Sequence, residues 1–424
     1  MQKKIFLVLM GVVLLAVIAS PSMAADTIKI AYIDPLSGAF AGVGDAGLRH
    51  FQYNAELINA KGGVLGGKKF AIVPFDNKTS PQDSLIQFKN AIDQGIRIIT
   101  QGNGSSVAGA LIEAVNKFNE RNPGDEVIYL NYAAVTPAFT NEGCSFWHFR
   151  FDAHADMKMA AITDYIKEQK NVKKVYLINQ DYVFGHAVAD AAKSMLKEKR
   201  PDVQIVGDVY TPLGKVKDFS PYVSQIKASG ADTIITGNWG ADMSLLVKAA
   251  KDAGLDAKFH TFYGGGLGAP KAIGEAGIGV LNHVTEWHIN LNHEEKNKKD
   301  EEFFLGYQKK YSQNGESPYY YGRIRTEMEM LAAAVKKAGS TDAKAIAFAL
   351  EGMEHETPYG KVTMRAEDHQ LIQPLYISVY AKAGTDKVKY DSENTGVGFS
   401  TVKRIEAPAT AMPTTCKMER PAKK

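Results

Sequence analysis

Residues 27–63 read TIKIAYIDPLSGAFAGVGDAGLRHFQYNAELINAKGG, and their pattern decides the fold class. Residues 27–33 alternate and are rich in β-branched side chains, which predicts a strand. From residue 45 to 61 the spacing changes. Leu48, Phe51, Ala55 and Ile58 recur at helical intervals, and Gly62-Gly63 stops the run. The same strand-then-helix order continues outward. It predicts strands at 70–75, 97–100 and 127–131, with helices at 81–93 (Pro81 at its start) and 105–119 between them. Around residues 144–153 the pattern resets. A second series follows, with helices at 156–168, 185–199, 222–228 and 242–253 and strands at 174–179, 203–210, 233–236 and 258–262. Repeated alternation of this kind predicts parallel sheets covered by helices. Two such series predict an α/β protein of two Rossmann-like lobes with parallel-sheet cores. The charge run 293–302 reads as a solvated loop or helix start. A helix is expected at 326–338 and a late strand at 375–381. Residues 385–424, with Pro408, Pro413 and Pro421, read as an extended C-terminal tail.

The 424 residues are 45% hydrophobic and 23% charged, which excludes disordered, collagen-like and coiled-coil classes. Residues 1–24 read as a signal peptide: Lys3 and Lys4, a short apolar run over 5–18, then small residues at Ser22 and Ala24. Cleavage is expected after Ala24, giving an exported, periplasmic chain that is not inserted in the membrane. An uncleaved anchor is the alternative. The net charge is +3 without a basic block, which argues against a nucleic-acid partner. The two cysteines, Cys144 and Cys416, would meet an oxidising compartment. A disulfide between them would tie the tail to the middle of the chain; two free thiols is the other reading.

Several motifs can be weighed against chemistry. Gly42-Val43-Gly44-Asp45-Ala46-Gly47 has the form of a dinucleotide fingerprint, but eight residues separate it from the strand, and no acid stands at the ribose position. No cofactor is expected. Gly264–Ala269 is a second weak match, read as a Gly-rich loop. Gly102-Asn103-Gly104-Ser105-Ser106 follows a strand and opens a helix, where free backbone N–H groups and hydroxyls suit a small anion. An ordinary serine N-cap is the plainer reading. His283, His288 and His293 with Glu286 and Glu294 fit no standard metal spacing, so no metal is expected. There is no nucleophile elbow and no H-E-x-x-H. No catalytic residues are assigned, and an enzyme is not expected. Aromatic residues Phe40, Tyr182, Phe184, Trp239 and Tyr263 fall in loops after strands, where two facing lobes could share an apolar cleft.

Asp34-Pro35-Leu36-Ser37-Gly38 followed by Ile58-Asn59-Ala60-Lys61-Gly62-Gly63 resembles the periplasmic solute-binding proteins of branched-chain amino acid ABC importers. Ala133–Pro137, Asn179–Gly185 and Tyr359–Val362 extend the resemblance over the mature chain. The resemblance implies the type I periplasmic binding fold, two lobes joined by three hinge crossovers, here near 149, 286 and 357. It implies lobe 1 from 25–148 plus 287–356 and lobe 2 from 149–286 plus 357–384. It further implies a monomer that captures a small molecule and delivers it to an inner-membrane ABC permease. Ser106 falls where the family's serine holds the ligand carboxylate, with Asn103 and Ser105 beside it. Ala133, Ala134 and Val135 fall on the family's A-A-T segment, so a hydroxyl becomes a methyl unless Thr136 replaces it. Gly265 falls where the family's glutamate meets the ligand ammonium, and Phe184 and Trp239 approximate its tyrosines. A buried ammonium without a carboxylate costs several kcal/mol. The expected ligand is therefore a carboxylate with an aromatic or hydrophobic body and no α-amino group. A hydrophobic amino acid, with Asp181, Asp242 or Glu286 supplying the acid, is the first alternative. An exported enzyme acting on small acids and a ligand-sensing module are the others.

Overall fold

The computed structural model describes residues 27–312 and 322–423; the expected signal peptide lies outside them. Five parallel strands form the first sheet: β1 (Thr27–Asp34), β2 (Lys69–Asp76), β3 (Ile98–Gln101), β4 (Ile128–Asn131) and β5 (His148–Arg150), in the order β2-β1-β3-β4-β5. Alternate residues of β1 serve opposite faces. Ile28, Ile30 and Tyr32 pack with Phe51 and Ala55 of helix Ala41–Ala60 and with helices Gly322–Ala338 and Ala343–Leu350. Ala31 and Ile33 pack with Phe88, Val107 and Leu111 from helices Pro81–Asp93 and Ser105–Arg121. Each fully buried aromatic or aliphatic side chain in such a layer contributes about 1.5–3 kcal/mol.

The second sheet takes β6 (Lys174–Gln180), β7 (Gln204–Thr211), β8 (Thr233–Thr236), β9 (Lys258–Thr261) and β10 (Leu281–Thr285), all parallel. Three short antiparallel strands, β11 (Glu354–Thr357), β12 (Gly360–Met364) and β13 (Leu371–Ile372), form a separate sheet. β14 (Leu375–Lys382) and β15 (Val397–Ile405) then join the second sheet antiparallel, giving the order β15-β14-β10-β9-β8-β6-β7. Segment 397–405 is thus an edge strand, where a polar extended tail was expected. Its apolar Val397 and Phe399 enter the second core.

The chain passes between the lobes at 151–154, over 286–299, where helix Asn290–Glu294 still packs on β15, and at 373–374. The third passage comes later than the expected position near 357, because Val362, Met364 and Leu371 pack into the first core. Gln370 and Gln373 side chains donate to the carbonyls of Asp152 and Phe151, at 2.9 and 2.8 Å, so the first and third passages brace each other. Cys144 and Cys416 are bridged, with Cα atoms 5.7 Å apart. Among the described residues no helix is long and apolar enough to cross a membrane.

Helix Ala41–Ala60 begins earlier than the spacing suggested, and the Gly42–Gly47 run lies inside its first turns. The glycines there serve close packing. A Cβ on Gly44 would sit 1.7 Å from the Pro35 carbonyl oxygen, and one on Gly47 2.3 Å from the Tyr32 hydroxyl. Gly44→Ala should therefore cost about 2–3 kcal/mol, the upper part of the overpacking range, read as a lower urea midpoint at unchanged slope. Gly42→Ala, exposed in the same helix with nothing within 4 Å of its added Cβ, should instead raise the midpoint slightly, by up to about 0.5–1 kcal/mol.

Candidate functional site

The carboxyl ends of the two parallel sheets face each other across a partly open cavity lined from both lobes. Its floor is built at the end of β1. Asp34 is fully buried there and accepts from the Tyr132 hydroxyl at 2.6 Å and the backbone N–H groups of Asn103 and Gly102 at 2.9 and 3.2 Å. Burial pushes its carboxyl up to about 6, against the pull of these donors. The Asn103 side chain donates to the Tyr132 oxygen at 2.7 Å. Two amides of the glycine-rich loop thus already face an internal carboxylate. Gly104, at φ 97°, is the residue that caps helix Ser105–Arg121. Neither serine is the N-cap: Ser105 opens the helix, buried and lining the cavity, while Ser106 is exposed and outside the lining.

Beside this floor, the Asn131 side chain holds the turn after β4, accepting from the N–H groups of Ala133 and Ala134 and donating to the Ala134 carbonyl. Ala133, Ala134 and Val135 line the cavity. Thr136 does not; its carbonyl accepts from Arg150 at 2.6 Å. The second lobe supplies Tyr182, Phe184, Trp239 and Tyr263. Trp239 donates its indole N–H to the Tyr182 hydroxyl at 2.8 Å, which fixes both rings.

Eight expected residues therefore converge on one cavity: Asn103, Ser105, Ala133, Ala134, Val135, Tyr182, Phe184 and Trp239. Three do not line it. Ser106 points to solvent. Phe40 instead stacks on Trp239, with centroids 4.1 Å apart, and bridges the lobes beside the cavity. Gly265 abuts His283: an added Cβ would meet the imidazole at 2.2 Å. The absent side chain leaves room for a ring of the protein's own, so Gly265 is no vacated ammonium site.

Arg323 lines the cavity and was not anticipated, because the helix was expected to start at Thr326. Tracing the buried stripe Glu327, Met328, Leu331 back by one turn would have reached it. Arg323 Nη1 donates to Glu286 at 2.9 Å, and its Nε stands 3.5 Å from Asp152. Lys158 stands 2.8 Å from Asp152. All four groups are buried. Burial pulls the Lys158 amine down, partly offset by Asp152. Burial alone would raise Glu286, but Arg323 and Lys158 outweigh it and hold the carboxyl below its usual range. The acids considered as ammonium partners are engaged elsewhere. Asp181 is exposed beside His186, Asp242 accepts from Gln180 and from the Gly214 N–H, and Glu286 pairs with Arg323. None of the three lines the cavity. Among the described residues no cluster of His, Cys, Asp and Glu could hold a metal ion.

Two sheets with their carboxyl ends turned toward one cavity, joined by three passages, match known proteins closely. A family model described as periplasmic binding protein matches residues 27–385. The chain belongs to the periplasmic binding protein family. It is 32% identical over 415 residues to Leu/Ile/Val-binding protein homolog 4 of Brucella abortus, covering 96% of both chains. The closed structure of the leucine-, isoleucine-, valine-, threonine- and alanine-binding protein from Brucella ovis is also similar. Its TM-score is 0.80 at 32% identity, over 94% of this chain and all of that one. A solute-binding protein of an ABC transporter from Rhodopseudomonas palustris BisB5, in complex with 3,4-dihydroxybenzoic acid, shares the fold. That match has a TM-score of 0.75 and 19% identity, over 90% and 98% of the two chains.

Beneath the floor, this periplasmic binding protein buries a second acid. Glu327 accepts from the Thr100 hydroxyl at 2.8 Å, and burial raises its carboxyl to about 8, helped by the nearby Asp34. A folded-state value above the unfolded one near 4.3 means the native state holds an extra proton between them. Stability then falls as pH rises from about 4 to 8, by up to about 1.4 kcal/mol per pH unit. Glu327→Gln should match the parent near pH 4.5 and exceed it increasingly toward pH 8. Urea unfolding at the two pH values checks this; a constant difference would refute it.

Proposed function

We propose that this protein captures a small carboxylate with an aromatic or other hydrophobic body, lacking an α-amino group, and delivers it to an inner-membrane ABC permease. It acts as an exported, periplasmic monomer, and its role is binding without catalysis. The observation that carries the reading is the charge of the lining. Among the described residues, Arg323 is the one charged side chain there, and no carboxylate reaches the surface of the cavity. The helix beginning at Ser105 adds its positive end. An α-ammonium would be buried without an acid, whereas a carboxylate meets a guanidinium and a helix terminus. Tyr182, Phe184, Trp239 and Tyr263 then offer flat apolar walls.

The first lobe supplies the polar floor and the second the aromatic walls, so a bound ligand touches both and favours the closed arrangement. A hydrophobic amino acid is the second reading, favoured by the 32% identity to the Brucella proteins named for branched-chain amino acids.

Thermal unfolding of ligand-stripped protein separates the two. Benzoate, 4-hydroxybenzoate or phenylacetate at 100 times its dissociation constant should add about 2.7 kcal/mol of stability. Leucine and valine should add none; stabilisation by either would overturn the reading. Ser105→Ala should weaken binding of the stabilising acid by about three- to tenfold, the loss of one hydrogen bond, while Ser106→Ala leaves it unchanged.

A further inference from the structure

The C-terminal segment follows an unusual course. β15 belongs to the second lobe, paired with β14 along its length, and Lys403 reaches Glu168 of that lobe at 2.6 Å. The chain then leaves the lobe. The Thr410 hydroxyl donates to the Gln373 carbonyl at 3.0 Å, alongside the third passage. Met412 still packs against the second core, while its carbonyl accepts from Arg365 of the first lobe at 2.7 Å. Beyond it the Thr414 hydroxyl donates to the Thr140 carbonyl at 2.7 Å, and the Thr415 N–H to Asn141 at 3.0 Å. Cys416 is then bonded covalently to Cys144 in the loop before β5. Past the bridge, Arg420 pairs with Glu351 at 2.5 Å and Met418 packs on the first core.

Residues 406–416 therefore join the lobes a fourth time, and the join is closed by a covalent bond. We infer that this segment is a strap that limits how far the two lobes open. Opening rotates the lobes about the three passages. The strap's ends are held on different lobes, one in the sheet and one by the disulfide. Residues 411–416 run without helix and are held by hydrogen bonds at Met412, Thr414 and Thr415, so little slack is left. A wider opening would have to extend or strip this segment. Confining the empty protein to narrower openings shortens the path to the closed form and strengthens binding without any contact to ligand.

The strap is independent of which ligand binds, and the test keeps the two apart. Interlobe distance in the ligand-free protein is read by pulsed electron resonance between spin labels on non-cysteine side chains replacing Lys117 and Lys227. Two variants are compared with the parent: Cys144→Ser with Cys416→Ser, and an insertion of two glycines between Glu406 and Ala407 with the disulfide intact. Both should shift the distribution toward longer distances. The insertion gives slack while keeping the crosslink, so it separates a strap from simple stabilisation by the bridge. Benzoate affinity, measured by titration calorimetry, should weaken about threefold or more in both. An unchanged distance distribution in the insertion variant overturns the strap, whatever the stability of the double serine variant. If benzoate binds neither parent nor variants, the distances alone decide, and only the ligand reading is lost.

Discussion

One buried carboxylate organises the floor of the cavity. Asp34, at the end of β1, draws the loop after β3 and the Tyr132 hydroxyl after β4 onto itself. Three strand ends are thereby fixed relative to one another by charge-assisted hydrogen bonds in a site without water contact. The direction of the Gly102–Ser105 backbone follows from this, and with it the direction of the helix that opens at Ser105. If the ligand is an anion, as proposed above, the helix terminus is open to it because an internal anion has already oriented the loop that leads into it. The raised carboxyl of Asp34 is the cost of that arrangement: desolvation outweighs the donors it recruits.

The same logic recurs at the passages between lobes. Asp152 lies in the first and Glu286 in the second, while Arg323 comes from the first lobe and Lys158 from the second. Their alternating charges compensate one another in a buried place where any one alone would be expensive. Arg323 belongs both to this cluster and to the cavity lining. On the reading proposed above, the guanidinium that would meet a ligand carboxylate is also tied to two of the segments that pass between the lobes, which would couple recognition to hinge geometry through adjacent contacts.

The start of β1 is legible because Thr27 and Lys29 are exposed while Ile28 and Ile30 are buried; from Ala31 both faces are covered, and only the apolar run marks the strand. Helix 81–93 is legible to the residue because Ser80 and Pro81 mark its start chemically. What escaped has physical causes. β5 spans three residues, too few for any period. β10 carries Asn282 and His283, polar residues buried through tertiary packing and hydrogen bonds that periodicity cannot see. β15 gains its identity only from pairing with β14. The exchange of Ser106 for Ser105 is a matter of one helical step, about 100° of rotation, decided by Gly104 taking the cap position. Gly265 was misplaced because an alignment shows which side chain is missing and not what fills the space. Here the filler is His283.

Closure does not depend on ligand alone. Phe40 of the first lobe stacks on Trp239 of the second, and the seat is shaped by two glycines, since a Cβ at Gly214 or Gly240 would press on the Phe40 ring at 2.8 or 2.9 Å. The Tyr263 hydroxyl reaches toward the Ala133 carbonyl at 3.4 Å across the same gap. These contacts form whenever the lobes meet, occupied or empty, so they lower the free energy that ligand contacts must supply. Yet they must stay weak. If they held the lobes shut by more than a few kcal/mol, ligand could neither enter nor leave, and affinity would reflect a trapped state. An aromatic stack worth about 0.5–1.5 kcal/mol beyond its buried area lies in the useful range. It also holds Trp239 in the cavity lining with its ring already oriented, so the wall that a flat hydrophobic acid would meet is fixed by a first-lobe side chain that itself stays outside the lining.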